Sequence, residues 1–331
     1  MALLEVRDLR TYFFFDSGRT VAAVDGVDLT VRRGSVLGLV GESGSGKSVT
    51  ALSILRLLDP RARIVSGEIL FRGRDLISLS EGEMREIRGR YISMVLQDPM
   101  TALNPLLTIG RQIRHAISAH QKLKSQDVRT EAIRLLDTVR LPDPERLLGA
   151  YPHQLSGGMR QRVVLAMALA SGADLIIADE PTTALDVTIQ LQILSLLKEL
   201  REARELSMLF ITHDLGLIAH ICDYVCVMYC GVVVEHGPMA KILERPLHPY
   251  TQALLYAVPN PQRRGTPLRT IGAQGPDASL ITSGCRFLGR CDRGRKICKE
   301  ESPRLIEGEA CHKVACYFPG GEYGENIPST D

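Results

Sequence analysis

The chain has 331 residues, 45% of them hydrophobic and 24% charged, with a formal net charge of +2. This composition is ordinary for a globular protein, and the length allows one large domain and a smaller appendage. The near-neutral charge gives no basis for a nucleic-acid partner, and no apolar run approaches the roughly 18 residues of a membrane-spanning helix. Because the N-terminus "MALLEVRDLR" is charged and unlike a signal peptide, we expect a protein that is cytosolic or docked on the cytosolic face of another structure.

The N-terminal third is predicted to consist mostly of strands. Weak alternation and short apolar runs indicate strands at 4–9, 19–31, 36–40, 64–79 and 91–98. The run "VLGLV" at 36–40 is continuous, as in a strand buried on both faces, and leads through a glycine-rich loop into an amphipathic helix at 48–58. Strand, glycine-rich loop and helix in this order are typical of the start of a βα unit.

Helical periodicity dominates from about 99 to 168, most clearly in "TIGRQIRHAISAHQ" and "TEAIRLLDTV". Beyond it the predicted elements alternate: a strand at 174–180, a helix at 188–204, a strand at 207–214, a helix at 215–222 and a strand hairpin at 224–237. This alternation with one helical insertion predicts an α/β sheet that carries a helical subdomain.

The amino-acid composition changes after about residue 240, where proline becomes frequent. Residues 260–283 are rich in Gly, Pro, Ser and Thr, which predicts a linker. We therefore expect a main domain at 1–240, with its helical subdomain at about 99–168, and a C-terminal extension at 241–331 that bears a cysteine cluster.

The motif "GESGSGKS" at 41–48 fits G-x-x-x-x-G-K-[ST] between a buried strand and a helix. Its glycines let backbone N–H groups turn towards phosphate, and the helix N-terminus adds partial positive charge. Lys47 is expected to reach the β- and γ-phosphates of a nucleotide, and Ser48 to bind Mg²⁺. The alternative is a chance glycine-rich turn. The predicted nucleotide-binding residues of this P-loop are Gly41, Ser43, Gly44, Ser45, Gly46, Lys47, Ser48 and Val49.

Two adjacent carboxylates, Asp179 and Glu180, follow the predicted strand in "LIIADEP". In a P-loop protein the first carboxylate holds Mg²⁺, and the second is well placed to polarise the attacking water. Without the P-loop, solvated acids at a strand end would be the better interpretation.

The motif "LSGGMRQR" at 155–162 predicts a second helix start suited to an anion, at Ser156, Gly157 and Gly158. Because one nucleotide does not need two such loops from one chain, we expect this one to contact the γ-phosphate of a nucleotide held by another subunit. The alternative is a plain helix N-cap at Ser156.

Together, "GESGSGKS", "LSGGMRQR", "LIIADEPTTALD" and "ITHD" resemble the motifs of ABC-transporter ATPases in their order, over about residues 1–240. The resemblance implies a P-loop NTPase core with an antiparallel β subdomain and a helical subdomain, and a head-to-tail dimer that sandwiches two ATP molecules. It also implies roles for individual residues: Gln97 as a Mg²⁺-sensing residue, Glu180 as general base, Asp186 at the dimer interface, His213 on the γ-phosphate, and Phe13 (or its neighbour Tyr12) under adenine.

The stretches "LQDPMTALNP" (96–105) and "RPLHPYTQALLYAVP" (245–259) resemble the oligopeptide/dipeptide importer branch, which also includes nickel and glutathione importers. This implies an ATP-hydrolysing subunit that powers peptide import from the cytoplasmic face of the membrane. Its expected partners are two transmembrane permease subunits, a sister ATPase or a second copy, and indirectly an extracytoplasmic solute-binding protein. Other possibilities are a soluble ABC ATPase, a P-loop kinase or GTPase, or a metal-binding scaffold without activity.

Five of the eight cysteines fall close together, at Cys285, Cys291, Cys298, Cys311 and Cys316. Dense thiolates in a reducing compartment favour Zn²⁺ or an iron–sulfur cluster, and the paired C-x2–4-C spacing usual for structural zinc is missing. Nearby Arg286, Arg290, Arg293, Arg295 and Lys296 would offset the charge of such a cluster. The importer branch resembles this segment and implies a [4Fe–4S] cluster on Cys285, Cys291, Cys298 and Cys316, with zinc or no metal as alternatives. Cys311 is then an extra thiol.

The other three cysteines, Cys222, Cys226 and Cys230, lie at a predicted helix end and in the predicted hairpin. Free cysteine in such places behaves as a small hydrophobe, so we expect these three to be buried.

Overall fold

A computed structural model describes residues 1–121, 124–183, 185–258 and 283–321 of the chain. The strands of these ranges are, in chain order, β1 Ala2–Phe14, β2 Thr20–Arg32, β3 Val36–Val40, β4 Ala62–Phe71, β5 Arg74–Asp75, β6 Ile92–Val95, β7 Leu175–Asp179, β8 Ser207–Thr212, β9 Tyr224–Tyr229, β10 Val232–Pro238, β11 Ile306–Glu309 and β12 His312–Val314.

The α-helices of the same ranges are α1 Lys47–Leu55, α2 Glu81–Ile87, α3 Pro99–Ala102, α4 Ile109–His120, α5 Ser125–Thr138, α6 Pro144–Leu147, α7 Gly157–Leu169, α8 Val187–Arg204, α9 Leu215–Ile218, α10 Met239–Glu244, α11 Pro249–Ala257 and α12 Lys296–Glu300. Short 3₁₀ turns occur at Pro152–Gln154 and Leu288–Arg290. Within the described ranges, none of the helices combines the length and apolar character that crossing a bilayer requires.

The fold contains two compact units, which we name by their content. The P-loop unit comprises residues 2–31, 36–77 and 212–331, and the helical unit comprises residue 1, 32–35 and 78–211.

The P-loop unit holds two groups of strands. One has the order β2-β1-β4-β5, in which β1 pairs antiparallel with β4 so that Leu4 lies opposite Phe71. In the other, β3 pairs in parallel with β9, and β9 turns back antiparallel into β10 through Gly231. All five residues of β3 are buried, in agreement with the continuous apolar run that predicts it.

The helical unit contains three parallel strands in the order β8-β7-β6, of which β7 and β8 are fully buried. Helices α4, α5 and α7 contact one another and bury an apolar face of each, including Ile113, Leu135 and Val163. These helices confirm the prediction of helical structure between about 99 and 168.

The predicted helix at 215–222 is shorter than expected, because α9 is a single turn that ends at Ile218. Asp214 caps its start by accepting hydrogen bonds from the N–H groups of Gly216 and Leu217, at 2.8 and 3.3 Å. The chain then turns, and the carboxylate of Asp223 accepts a hydrogen bond from Val36 N at 2.8 Å, which fixes the entry into β9.

The C-terminal segment adds two short strands to the P-loop unit, since β12 pairs with β10 and β11 with β12. Buried Glu235 of β10 anchors this addition: it accepts hydrogen bonds from Leu247 N and His248 N at 2.7 and 2.8 Å, and His312 Nε2 lies 2.7 Å from its carboxylate.

The linker predicted at 260–283 lies outside the described residues except for its last position.

Candidate functional site

The P-loop leads from β3 into α1, and its backbone is shaped by glycine. Gly44 and Gly46 have φ angles of 80° and 102°, in the left-handed region that glycine adopts without steric cost. A side chain at Gly41 would collide with the carbonyl oxygen of Met228, and one at Gly46 with that of Ala23. The backbone of the loop therefore packs directly against neighbouring backbone, as expected for a turn that wraps around a phosphate.

The N-terminus of α1 has no side-chain cap, because the N-cap position is Gly46. Such a helix start is suited to an anion. Lys47 is only 4% exposed, and its ammonium donates to the carbonyl oxygens of Gly41 and Glu42 at 2.7 and 2.9 Å. The lysine thus lies across the loop, and Ser48 and Val49 follow it in the first turn of the helix.

In the helical unit, Asp179 is the last residue of β7 and is buried, whereas Glu180 just beyond it is half-buried. The carboxylate of Glu180 accepts hydrogen bonds from Gln97 Nε2 at 3.0 Å and from the Thr183 hydroxyl at 2.9 Å. The structure thereby brings together two of the predicted residues that are 83 positions apart. Thr183 was not among the predicted residues, although it stands in the "TTALD" stretch that follows Glu180.

Glu180 has a φ angle of +46°, which is uncommon for a residue with a side chain. Its N–H donates to Ile211 O at 2.9 Å and its carbonyl accepts from Thr183 N at 3.1 Å, so the conformation is held on both sides. Strained backbone of this kind concentrates at functional positions.

Two helix N-termini, capped by Ser156 and Asp186, also lie in the helical unit. Ser156 caps α7 by accepting from Met159 N at 3.3 Å, and Asp186 caps α8 by accepting from Ile189 N at 3.0 Å. Ser156, Gly157 and Asp186 are exposed, and a side chain at Gly158 would come within 2.8 Å of Ile189.

His213 and Phe13 belong to the P-loop unit. His213 is exposed and stands between the end of β8 and the cap residue Asp214. Phe13 is half-buried near the end of β1, with its ring centroid 6.4 Å from that of Phe15. The neighbouring Tyr12 hydroxyl instead donates to Asp25 at 2.9 Å.

Four cysteines of the C-terminal segment line one small cavity of the P-loop unit, together with apolar groups that include Pro249, Leu288 and Phe318. They are Cys285, Cys291, Cys298 and Cys316. Cys311 does not line the cavity: it is exposed, in the turn between β11 and β12, with a φ angle of 61°. We refer to the four as the cysteine cavity.

Burial raises the pKa of Cys291 and of Cys316 to about 11, although the N–H groups of Arg293 and Phe318 oppose the shift. A cation that binds these sulfurs would therefore displace their protons. In the described part of the chain no three His, Cys, Asp or Glu side chains lie close enough together to hold a single metal ion.

The basic residues predicted to surround the cysteines are arranged differently from the expectation. Arg293 lines the cysteine cavity, and Arg295 lies over the Phe318 ring at 4.5 Å. Arg286 and Arg290 instead form ion pairs with Asp25 and Glu42, carboxylates far away in the sequence.

The other three cysteines are confirmed as buried, with exposed fractions of 8% for Cys222 and 0% for Cys226 and Cys230. Cys226 lies in β9, whereas Cys230 lies just beyond that strand at a φ angle of 46°.

Comparison with known families gives two matches along the chain. The ABC transporter family matches residues 24–183, and the oligopeptide/dipeptide transporter C-terminal region matches residues 234–298.

Similar proteins cover nearly the whole chain. A probable peptide ABC transporter ATP-binding protein of Sinorhizobium fredii is 49% identical over 95% of this chain and 94% of its own. A dipeptide transport ATP-binding protein of Bacillus subtilis is 46% identical over 96% of this chain and 94% of its own. An oligopeptide transport ATP-binding protein of the same organism is 44% identical over 96% of both chains.

Solved structures agree with these matches. A dimeric ATP-binding cassette in a post-hydrolysis state, bound to ADP and Pi, is 27% identical with a TM-score of 0.64 and covers 71% of this chain and 98% of its own. A component of an ABC transporter complex from Clostridium perfringens is 27% identical with a TM-score of 0.62 and covers 73% of this chain and 90% of its own. The chain therefore belongs to the ABC transporter family, among the ATP-binding proteins that carry the oligopeptide/dipeptide transporter C-terminal region.

Proposed function

We propose that the chain is the ATP-hydrolysing subunit that powers import of dipeptides or oligopeptides through an ABC transporter. The observation that carries this proposal is the close likeness to peptide-transport ATP-binding proteins over 95% and more of the chain, P-loop and C-terminal region included. Nickel or glutathione-like solutes are the alternative cargo, because that branch of the family resembles this sequence as well.

In this function the P-loop holds the phosphates of ATP. Backbone N–H groups of the loop and of the α1 N-terminus point towards anionic oxygens, and Lys47 exchanges its carbonyl partners Gly41 and Glu42 for the β- and γ-phosphates. The residues proposed to contact ATP are Gly41, Ser43, Gly44, Ser45, Gly46, Lys47, Ser48 and Val49, with Phe13 against the adenine.

Ser48, Gln97 and Asp179 are the residues proposed to hold Mg²⁺, directly or through water, and the ion would neutralise charge on the phosphate oxygens when bound. Glu180 is the proposed general base: its carboxylate is held by Gln97 and Thr183, and it takes a proton from the attacking water. His213 is proposed to contact the γ-phosphate and orient that water.

Two such chains, or this chain and a sister ATPase, are proposed to dimerise head to tail. Ser156, Gly157 and Gly158 at the α7 N-terminus then contact the γ-phosphate bound by the other subunit, and Asp186 lies at the interface. The exposure of Ser156, Gly157 and Asp186 is what such a role requires.

The chain is proposed to work at the cytoplasmic face of the membrane, bound to two transmembrane permease subunits that a solute-binding protein supplies. Affinity purification of the tagged chain from detergent-solubilised membranes tests this directly. We expect two polytopic membrane proteins and a second ATP-binding chain, or a second copy of this one, to co-purify. Recovery of the chain with ribosomal or DNA-repair proteins and no membrane protein would contradict the proposal.

The cysteine cavity is proposed to bind a [4Fe–4S] cluster. Four thiols around one cavity suit a cluster with a cysteine on each iron, whereas a single zinc needs its four ligands at about 2.0–2.3 Å from one point. The donor chemistry fits, since all four ligands are sulfur and Arg293 contributes a positive charge to the lining.

Iron analysis of anaerobically purified protein tests the cluster. We expect a brown protein with broad visible absorption and about four irons per chain. A colourless protein that contains one zinc per chain, or no metal at all, would show that the cluster proposal is wrong.

A further inference from the structure

Residues 283–321, which we call the cysteine segment, are connected to the phosphate-binding loop by an ion pair. Arg290 donates to both carboxylate oxygens of Glu42, at 2.6 and 2.9 Å, and Glu42 is the second residue of "GESGSGKS". The two side chains are only 12% and 24% exposed. Two-point arginine–carboxylate contacts of this kind are strong and fixed in geometry.

The position of Arg290 depends on the cysteines, because the 3₁₀ turn Leu288–Arg290 lies between Cys285 and Cys291. Cys285 N donates to Cys298 O at 2.7 Å, and Cys291 N to Leu288 O at 3.2 Å, so the same short turn connects the cavity and the arginine.

Aromatic contacts also connect the cysteine segment to the P-loop. Phe287 packs with its ring centroid 5.2 Å from that of Tyr229 and 5.4 Å from that of Tyr250, and it is 1% exposed. The Tyr250 hydroxyl accepts a hydrogen bond from Glu42 N at 2.8 Å. Both the side chain and the backbone of Glu42 are therefore held by the surroundings of the cysteine segment.

A second arginine, Arg286, is connected to the P-loop through a series of backbone hydrogen bonds. Arg286 forms an ion pair with Asp25 and donates to Cys230 O. Asp25 N donates to Gly231 O, and Gly231 N donates to Ser45 O in the P-loop, each at 2.8 Å.

Glu42 places a negative charge in a loop that must bind the most highly charged part of ATP. Like charges in a binding loop lower the affinity for an anion, and a bound arginine cancels that charge. The cysteine segment is too small to form a core of its own, so its position depends on what holds its cysteines together.

We propose that Arg290 is a positioning residue for ATP binding that acts by neutralising Glu42, and that the metal in the cysteine cavity holds Arg290 in place. Metal occupancy then sets the affinity of the P-loop for ATP. The metal-dependent half rests on the proposed cluster, whereas the arginine–carboxylate half does not.

The test is calorimetric titration of the full-length, metal-loaded protein with ATP and Mg²⁺, for the wild type and for Arg290→Gln, Glu42→Gln and the double variant. The matched control is Lys299→Gln, which removes one positive charge from an exposed position of the same segment. We expect Arg290→Gln to raise the Kd for ATP about 5- to 150-fold, the usual range of coupling between sites. Lys299→Gln leaves the Kd unchanged, and Glu42→Gln in the Arg290→Gln background restores the affinity.

A second experiment removes the metal with an oxidant and an iron chelator, and metal content and circular dichroism are measured on the same samples. The wild type is expected to lose affinity for ATP on metal removal. Glu42→Gln is expected to keep the affinity for ATP that it has with metal bound. This experiment remains decisive if Arg290→Gln fails to fold or loses its metal.

Two results would overturn the inference: an unchanged Kd in Arg290→Gln, or the same loss of affinity on metal removal with and without the Glu42 carboxylate. If the purified protein contains no metal, the cluster proposal alone fails, and the Kd values of the wild type and its variants still decide the role of Arg290.

Discussion

Gln97 Nε2 donates a hydrogen bond to the carboxylate of Glu180 over 3.0 Å. The contact joins the loop after β6 to the end of β7, and Thr183 supplies a second donor to the same oxygen. A general base has to be held in a fixed orientation, and two donors on one carboxylate oxygen fix the orientation of Glu180.

Replacement of Glu180 by Gln is expected to lower the rate of ATP hydrolysis about 10²- to 10⁴-fold, the usual contribution of a general base. The Kd for ATP should stay close to that of the wild type, because the substituted group acts on water. Phosphate-release kinetics and equilibrium ATP binding on the same preparation measure both quantities. Turnover near the wild-type rate would mean that Glu180 is not the base.

Thr183→Val is expected to lower kcat about 10- to 150-fold with little change in KM, since it removes a hydrogen bond to a charged group worth about 1.5–3 kcal/mol. Thr130→Val is a suitable control, because the Thr130 hydroxyl bonds only the carbonyl of Gln126 in an exposed turn of α5 among the contacts described. If kcat is equal in the two variants, the hydrogen bond to Glu180 has no part in the reaction.

Alanine at Gly41 and at Gly44 should have different effects, although both glycines belong to the P-loop. At Gly41 the methyl group would collide with Met228 O, so the loop must move and both ATP affinity and Tm should fall. At Gly44 the space is open and only the left-handed φ of 80° is unfavourable, at a cost of about 1–2 kcal/mol. Thermal unfolding and ATP titration compare them, and a milder effect at Gly41 would contradict the packing described for the loop.

Replacement of Cys311 by Ser should leave the metal content unchanged, because this thiol is exposed and lies outside the cysteine cavity. Replacement of Cys316 by Ser should remove metal. Metal analysis of both variants, purified anaerobically in parallel, makes the comparison. Loss of metal in Cys311→Ser with retention in Cys316→Ser would identify Cys311 as the fourth ligand.

Thiol labelling should depend on pH in a way that burial dictates. Burial raises the pKa of Cys226 to about 12 and that of Cys230 to about 11, so in the folded chain both remain protonated at pH 8 and lack the reactive thiolate. Iodoacetamide at pH 8 should therefore modify Cys311 first and reach these two only after unfolding. Modification of Cys226 in the native protein at pH 8 would contradict its burial.

Local patterns predict most of the fold. The run "VLGLV" predicts a strand at 36–40 and the structure has β3 at Val36–Val40, because a continuous apolar run flanked by a turn and a glycine-rich loop fits one kind of element. The helix at 215–222 is wrong in length because the Asp223 contact to Val36 N is not visible in the pattern around it.

The candidate sites are predicted only as far as neighbours in sequence define them. The P-loop, Asp179 and Glu180 follow from contiguous motifs. Spacing alone leaves five cysteines for a four-cysteine site, and the structure separates Cys311 from the rest by its exposed turn. The ion pair of Arg290 with Glu42 spans 248 positions, and nothing local to either residue indicates it.

The most direct measurement of the central proposal is ATP-dependent uptake of a labelled dipeptide or oligopeptide by membrane vesicles that contain the assembled transporter, with wild-type chain or Glu180→Gln. We predict uptake that requires ATP on the cytoplasmic side and falls to background in the Glu180→Gln vesicles, in which the complex is present in equal amount. Uptake at the wild-type rate with Glu180→Gln, or ATP-hydrolysing wild-type vesicles that take up no peptide, would contradict the account.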